Sequence, residues 1–234
     1  MAGFLRVVCG LALLPFCWGL VRTFVDAVVV AAGRTGGISV EAVGLLAGML
    51  AFVVVWLVLP HPVRAYVFGH ELTHALWGIC FGARPSDFSV RASGGSVRLT
   101  KSNVLITLAP YFFPFYTFVV VIGALVTSAF LQPLPCLPLW MFLIGFTWAF
   151  HVLFTLETLT RRQPDVTTYG RVFSWAFIFS ANVVTVLVWM AATTPLTFAE
   201  LGGFLLHRVA GAYVGVATGA VDLFKWMGGL CSRT

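Results

Sequence analysis

Charge is what this sequence has least of. Asp, Glu, Lys and Arg make up 9% of its 234 residues, where a soluble domain carries about 25%. That shortage excludes an ordinary soluble fold, and with 60% hydrophobic residues it points to a polytopic membrane protein. Long polar stretches are also missing, so residues 1–234 read as a single membrane domain. Cys9, Cys17, Cys80, Cys136 and Cys231 form no CxxC pair. This excludes the usual thiolate metal spacing and leaves them as small packing residues. The net charge of +6 does not signal nucleic acid, because the basic residues are scattered through short loops, as the positive-inside rule places them.

What the chain does have is Gly69-His70-Glu71-Leu72-Thr73-His74-Ala75, an HExxH motif inside an apolar segment. Residues i and i+4 share a helix face, so His70 and His74 can present two imidazole nitrogens to one metal ion. With a third ligand, a Zn²⁺ held there keeps one position open. Glu71 stands where it can take a proton from an attacking water and return it to a leaving amine. A charge at membrane depth costs roughly 2.5–3.5 kcal/mol on insertion scales, so such a cluster is rarely kept without a use.

The apolar runs predict about six to seven transmembrane helices. The spans are about 4–21, 40–59, 63–81 (carrying the motif), 104–131, 139–160 and 172–191. Arg22 and Asp26, spaced i, i+4, are expected to pair. Gly82 closes the third helix. After it, residues 88–99 alternate apolar and polar around Ser93-Gly94-Gly95-Ser96, a β-hairpin signature with a Gly-Gly turn. Pro110 and Pro114 predict a kink or a broken entry in the fourth span. The tail 198–230 either lies on the interface or crosses as a seventh helix. Its Gly211, Gly215 and Gly219 make a small-residue face suited to close packing. The fold class is therefore an all-α polytopic membrane protein with a short hairpin insert.

Alternating sides, with the hairpin in the cytoplasm, put Arg22, Arg34, Arg84, Arg91, Arg98, Lys101, Arg161, Arg162 and Arg171 there. Arg6 and Arg64 then lie opposite. The metal would sit on the order of 12–15 Å inside the membrane. The expected location is a bacterial inner membrane with the site toward the cytoplasm. Two residues compete as third ligand. His151 is level with the HExxH pair. Asp165 lies at the end of the fifth span, where Pro164 lets the chain unwind and Arg161 and Arg162 keep the carboxylate ionised. Glu157 is a weaker candidate. Asn103 and Gln163 are polar groups that could hold a strand or an oxyanion.

The HELTH helix, the following Gly82, the hairpin-like insert, the Ala109-Pro110 helix and a distant Asp together resemble the site-2 protease family of intramembrane zinc metalloproteases. The resemblance covers about residues 63–190. It implies one Zn²⁺ held by His70, His74 and Asp165, with Glu71 as catalytic base. It also implies a substrate that is a membrane protein or peptide, taken from the lipid bilayer, with no nucleic acid involved. In that family the Asp usually stands in Leu-Asp-Gly, whereas here it is in Gln-Pro-Asp-Val. No PDZ-like insert is present. Two other classes are a transporter of divalent metal and an inactive, metal-binding membrane module. A transporter would spread polar residues over several helices, and an inactive module would have no need of Glu71.

Overall fold

The computed structural model describes residues 2–36, 39–91, 93–161 and 163–231. The elements are α1 (Ala2–Thr35), α2 (Val40–Val58), α3 (Val63–Cys80), β1 (Pro85–Arg91), β2 (Gly94–Leu99), α4 (Val104–Phe112) and α5 (Phe115–Phe130). They continue with α6 (Leu137–Thr160), α7 (Pro164–Tyr169), α8 (Arg171–Thr193) and α9 (Phe198–Cys231). Among the described residues five helices, α1, α2, α6, α8 and α9, are long and apolar enough to cross a membrane. α4 and α5 form a sixth candidate bent by 73°. The chain is thus an all-α polytopic protein with one small hairpin. It divides into two compact units, Met1–Gly37 with Gly170–Thr234, and Ile38–Tyr169.

In the first unit α1 packs against α8 and α9. Glycines permit the close approach: a Cβ at Gly10 would lie 2.6 Å from the Phe173 backbone, and one at Gly19 2.7 Å from Val209. The core between them includes Leu20, Ala27, Leu187 and Leu201. α1 runs unbroken past the expected end of the first span. Asp26 binds Arg208, at 2.6 and 2.8 Å, instead of forming the expected hydrogen-bonded pair with Arg22. A two-point guanidinium grip is stronger than an exposed i, i+4 pair. Arg34 similarly binds Glu200 at 2.5 Å and the Pro195 carbonyl at 2.9 Å. These pairings neutralise Glu200 and Arg208 of the tail, and α9 is one continuous helix. The expected tight packing of Gly211, Gly215 and Gly219 is not found, since no heavy atom lies within 4 Å of a Cβ built on any of them.

In the second unit α2 and α6 run side by side in the same direction. Gly44 faces Pro138, Gly48 meets the Phe142 carbonyl, Phe52 packs on Phe146 and Phe150, and Trp56 packs on Phe154. α5 runs the opposite way along α6, with Tyr116 against Phe150 and Gly123 against Trp140. The chain therefore leaves the bundle after Val58 and rejoins it at Phe115 at the same end. α3, the hairpin and α4 form one excursion from that end.

The third span expected from sequence, α3, lies in this excursion. α3 is not among the helices apolar enough to cross, because two histidines, a glutamate and an arginine dilute its 18 residues. The alternation of sides also changes, for His61 stacks on Trp56 at 3.7 Å and lies 3.7 Å from Glu157. The loop before α3 and the loop after α6 share one end.

The C-terminus of α3 is closed by Gly82 at φ +70°, with Ala83 N–H donating to Gly78 O at 2.7 Å and Gly82 N–H to Ile79 O at 2.8 Å. That is a Schellman cap, in which glycine adopts the left-handed conformation without a Cβ penalty. The hairpin pairs Ser89 with Ser96 and Val90 with Gly95. Its glycines are therefore in β2, where the sequence suggested a Gly-Gly turn at the tip; Ala92 lies outside the described residues. β1 carries an extra residue between Ser86 and Ser89, where Asp87 takes φ +51° and binds Arg98 at 2.9 Å.

Candidate metal centre

His70 and His74 come to one face of α3 because they are four residues apart, and their ring centroids are 4.9 Å from each other. Asp165, in the first turn of α7, is turned toward them. Its Oδ2 lies 3.5 Å from His70 Nε2 and 3.4 Å from His74 Nε2. One ligand atom from each residue falls within 4.8 Å of the others. Separations of 3.4 and 3.5 Å are long for hydrogen bonds. These two separations match ligands sharing a tetrahedral ion, since atoms about 2.0–2.2 Å from one centre lie about 3.3–3.6 Å apart. The three residues together could hold a metal ion.

The groups behind the ligands fix their orientation. His74 Nδ1 lies 2.9 Å from the Ile106 carbonyl of α4. Donation to that oxygen leaves Nε2 bare and aimed at the cluster. His70 Nδ1 lies 3.3 Å from the Tyr66 hydroxyl, one turn earlier on the same face. The fully buried Tyr111 donates from its hydroxyl to Asp165 Oδ2 at 3.1 Å.

Arg161 does not face Asp165 to keep it ionised, as the sequence suggests it would. It pairs with Glu157 one turn back along α6. Arg162 lies outside the described residues.

Glu71 is buried beside the ligands, facing β2. The backbone of Val97 lies near its carboxylate. Gly95 lies so close that a Cβ there would be 2.6 Å from Glu71 Cγ and 3.0 Å from Oε1. This close approach explains why glycine stands inside the strand.

Of the residues singled out from sequence, the fold brings together His70, His74 and Asp165, with Glu71 adjoining. His151 is buried but is not one of the three clustered residues; it lines a cavity that His70 also borders. Glu157 is taken up by His61 and Arg161. Asn103 caps α4, its side chain accepting from Ile106 N–H at 2.9 Å. Sequence reasoning missed Tyr66, Tyr111, Gly95 and the Ile106 carbonyl. Only Tyr66 carried a signal, its i, i+4 spacing to His70.

No protein-family model matches the chain, and neither a curated protein nor a solved structure is similar to it.

Proposed function

We propose that this protein is an intramembrane zinc metalloprotease, a divergent relative of the site-2 proteases. The observation that carries this reading is the convergence of His70, His74 and Asp165 with an intact glutamate next to the first ligand. A zinc ion bound there would supply Lewis acidity toward a peptide carbonyl and lower the pKa of a nearby water. Glu71 takes a proton as water adds to the carbonyl carbon, and delivers it to the nitrogen as the C–N bond breaks. Tyr66, Tyr111 and the Ile106 carbonyl hold the ligand set in register, limiting the reorganisation needed during the reaction.

A helical substrate must unwind before its carbonyls can be reached, because in lipid its backbone groups are satisfied internally. The hairpin supports a route. Val97 lies opposite the bulge of β1, with its backbone near Glu71. An extended segment adding alongside β2 by strand addition would therefore lie next to Glu71.

The cytoplasmic placement of the site rests on charge. Every Lys and Arg between Ile38 and Tyr169 (Arg64, Arg84, Arg91, Arg98, Lys101, Arg161 and Arg162) falls in the excursion or directly after α6. By the positive-inside rule that end faces the cytoplasm. Arg64, which simple alternation put on the far side, joins the others. The test is zinc content together with cleavage of a membrane-helix substrate by wild type and Glu71→Gln.

A further inference from the structure

The break between α4 and α5 leaves a partly open cavity of about 20 Å³ against α3. Tyr66, His70 and Thr73 form one wall, on a single stripe of α3. Tyr116 of α5 and Phe150 and His151 of α6 face that wall, and Pro110, Phe113 and Phe115 close the side at the break. The volume accepts about one water-sized group, which is also the scale of a methyl or hydroxymethyl side chain. His70 belongs both to this wall and to the metal cluster, so whatever enters the cavity is one side chain away from the reacting centre.

The walls are held by their own packing. Phe150 meets Tyr116 edge-on at 5.3 Å, Phe52 at 5.4 Å and Phe154 at 4.8 Å. The Tyr116 hydroxyl donates to the Ala65 carbonyl at 2.6 Å, and Thr73 Oγ1 to the Gly69 carbonyl at 2.7 Å. Gly69 has no room to spare either, since a Cβ there would be 2.9 Å from the Tyr116 ring. Widening the cavity means displacing packed aromatic rings, which interiors resist.

We propose that this cavity receives the side chain of the substrate residue next to the scissile bond, and that it selects Gly, Ala or Ser there. The proposal rests on the metalloprotease reading above. The imidazole of His151, buried among aromatic neighbours, gives the pocket a polar wall that tolerates a serine hydroxyl as well as a methyl group. Val, Leu and Phe are excluded by size.

The test uses two peptide hydroxamates identical except for a methyl or an isobutyl group on the carbon beside the chelating end. Their affinities for the full-length, zinc-loaded protein in detergent micelles are measured by calorimetry, with no turnover required. The methyl compound should bind at least ~10-fold more tightly, the discrimination a tight apolar pocket gives per misfitting group. Phe150→Leu should narrow that ratio. Equal or better binding of the isobutyl compound to wild type overturns the pocket assignment. So does a methyl preference that Phe150→Leu leaves unchanged, because the selection then lies elsewhere. Failure of both compounds to bind zinc-loaded protein is a different result: it contradicts the open metal centre, and the pocket falls with it.

Discussion

Gly95 of β2 and Glu71 of α3 touch without room for a methyl group between them, a Cβ on Gly95 lying 2.6 Å from Glu71 Cγ. The hairpin therefore sets where the proposed base can stand. Gly95→Ala should push the carboxylate aside while leaving the ligands in place. A shift on the order of 1 Å costs roughly 10²-fold in rate. The expected result is about that loss of cleavage with unchanged zinc per protein. Full activity in Gly95→Ala would show that the contact does not position Glu71.

Removal of Asp165 should empty the site. With Oδ2 at 3.4–3.5 Å from both histidine nitrogens, Asp165→Ala leaves two ligands where structural and catalytic zinc sites use at least three protein ligands. Zinc per protein, measured by atomic absorption after dialysis, should fall toward zero in Asp165→Ala and stay near wild type in His151→Ala. The reverse pattern would make His151 the third ligand.

Loss of the Tyr111 hydroxyl should weaken the site without abolishing it. Tyr111→Phe removes the donor to Asp165 Oδ2 and keeps the ring packing. Outer-shell partners of this kind are worth roughly 10–100-fold in metal affinity or activity. A competition titration with a zinc chelator should show a loss in that range. No change would mean that Tyr111 serves only packing.

The shared end of α2 and α6 makes a topological prediction. Single cysteines at His61, Ser93 and Thr168, in a background without the native cysteines, should all react with reagents admitted from the same side. A cysteine at Gln132 should react from the other. Labelling of His61 from the side opposite Thr168 would restore the simple alternation of spans and contradict the parallel packing of α2 and α6.

Much of this was legible in the sequence. The i, i+4 histidines and the alternating hairpin arms are local patterns, and local patterns survive into the fold. Pro110 and Pro114 likewise marked the α4–α5 break. The errors came from non-local pairing. Asp26 prefers a guanidinium far away in sequence at Arg208 over the one on its own helix, and no periodicity reveals that. The apolar flanks of α3 suggest a simple crossing. Only the register of α2 against α6, set by Gly44 and Gly48, shows that the chain leaves and returns at one end. Gly94 and Gly95 looked like a turn because glycine usually means one. The actual reason for Gly95 is the carboxylate beside it, a neighbour that sequence does not display.

The central claim is that the His70, His74 and Asp165 cluster is a catalytic zinc centre with Glu71 as its base. Its most direct test is a paired measurement on purified wild type and Glu71→Gln, of zinc per protein and of the cleavage rate of a transmembrane-helix reporter in proteoliposomes. The account predicts about one zinc in each, the number one three-ligand cluster holds, and a rate at least ~10²-fold lower in Glu71→Gln, the minimum expected on losing a general base. Equal cleavage by the two proteins, or no cleavage by zinc-loaded wild type, would contradict it.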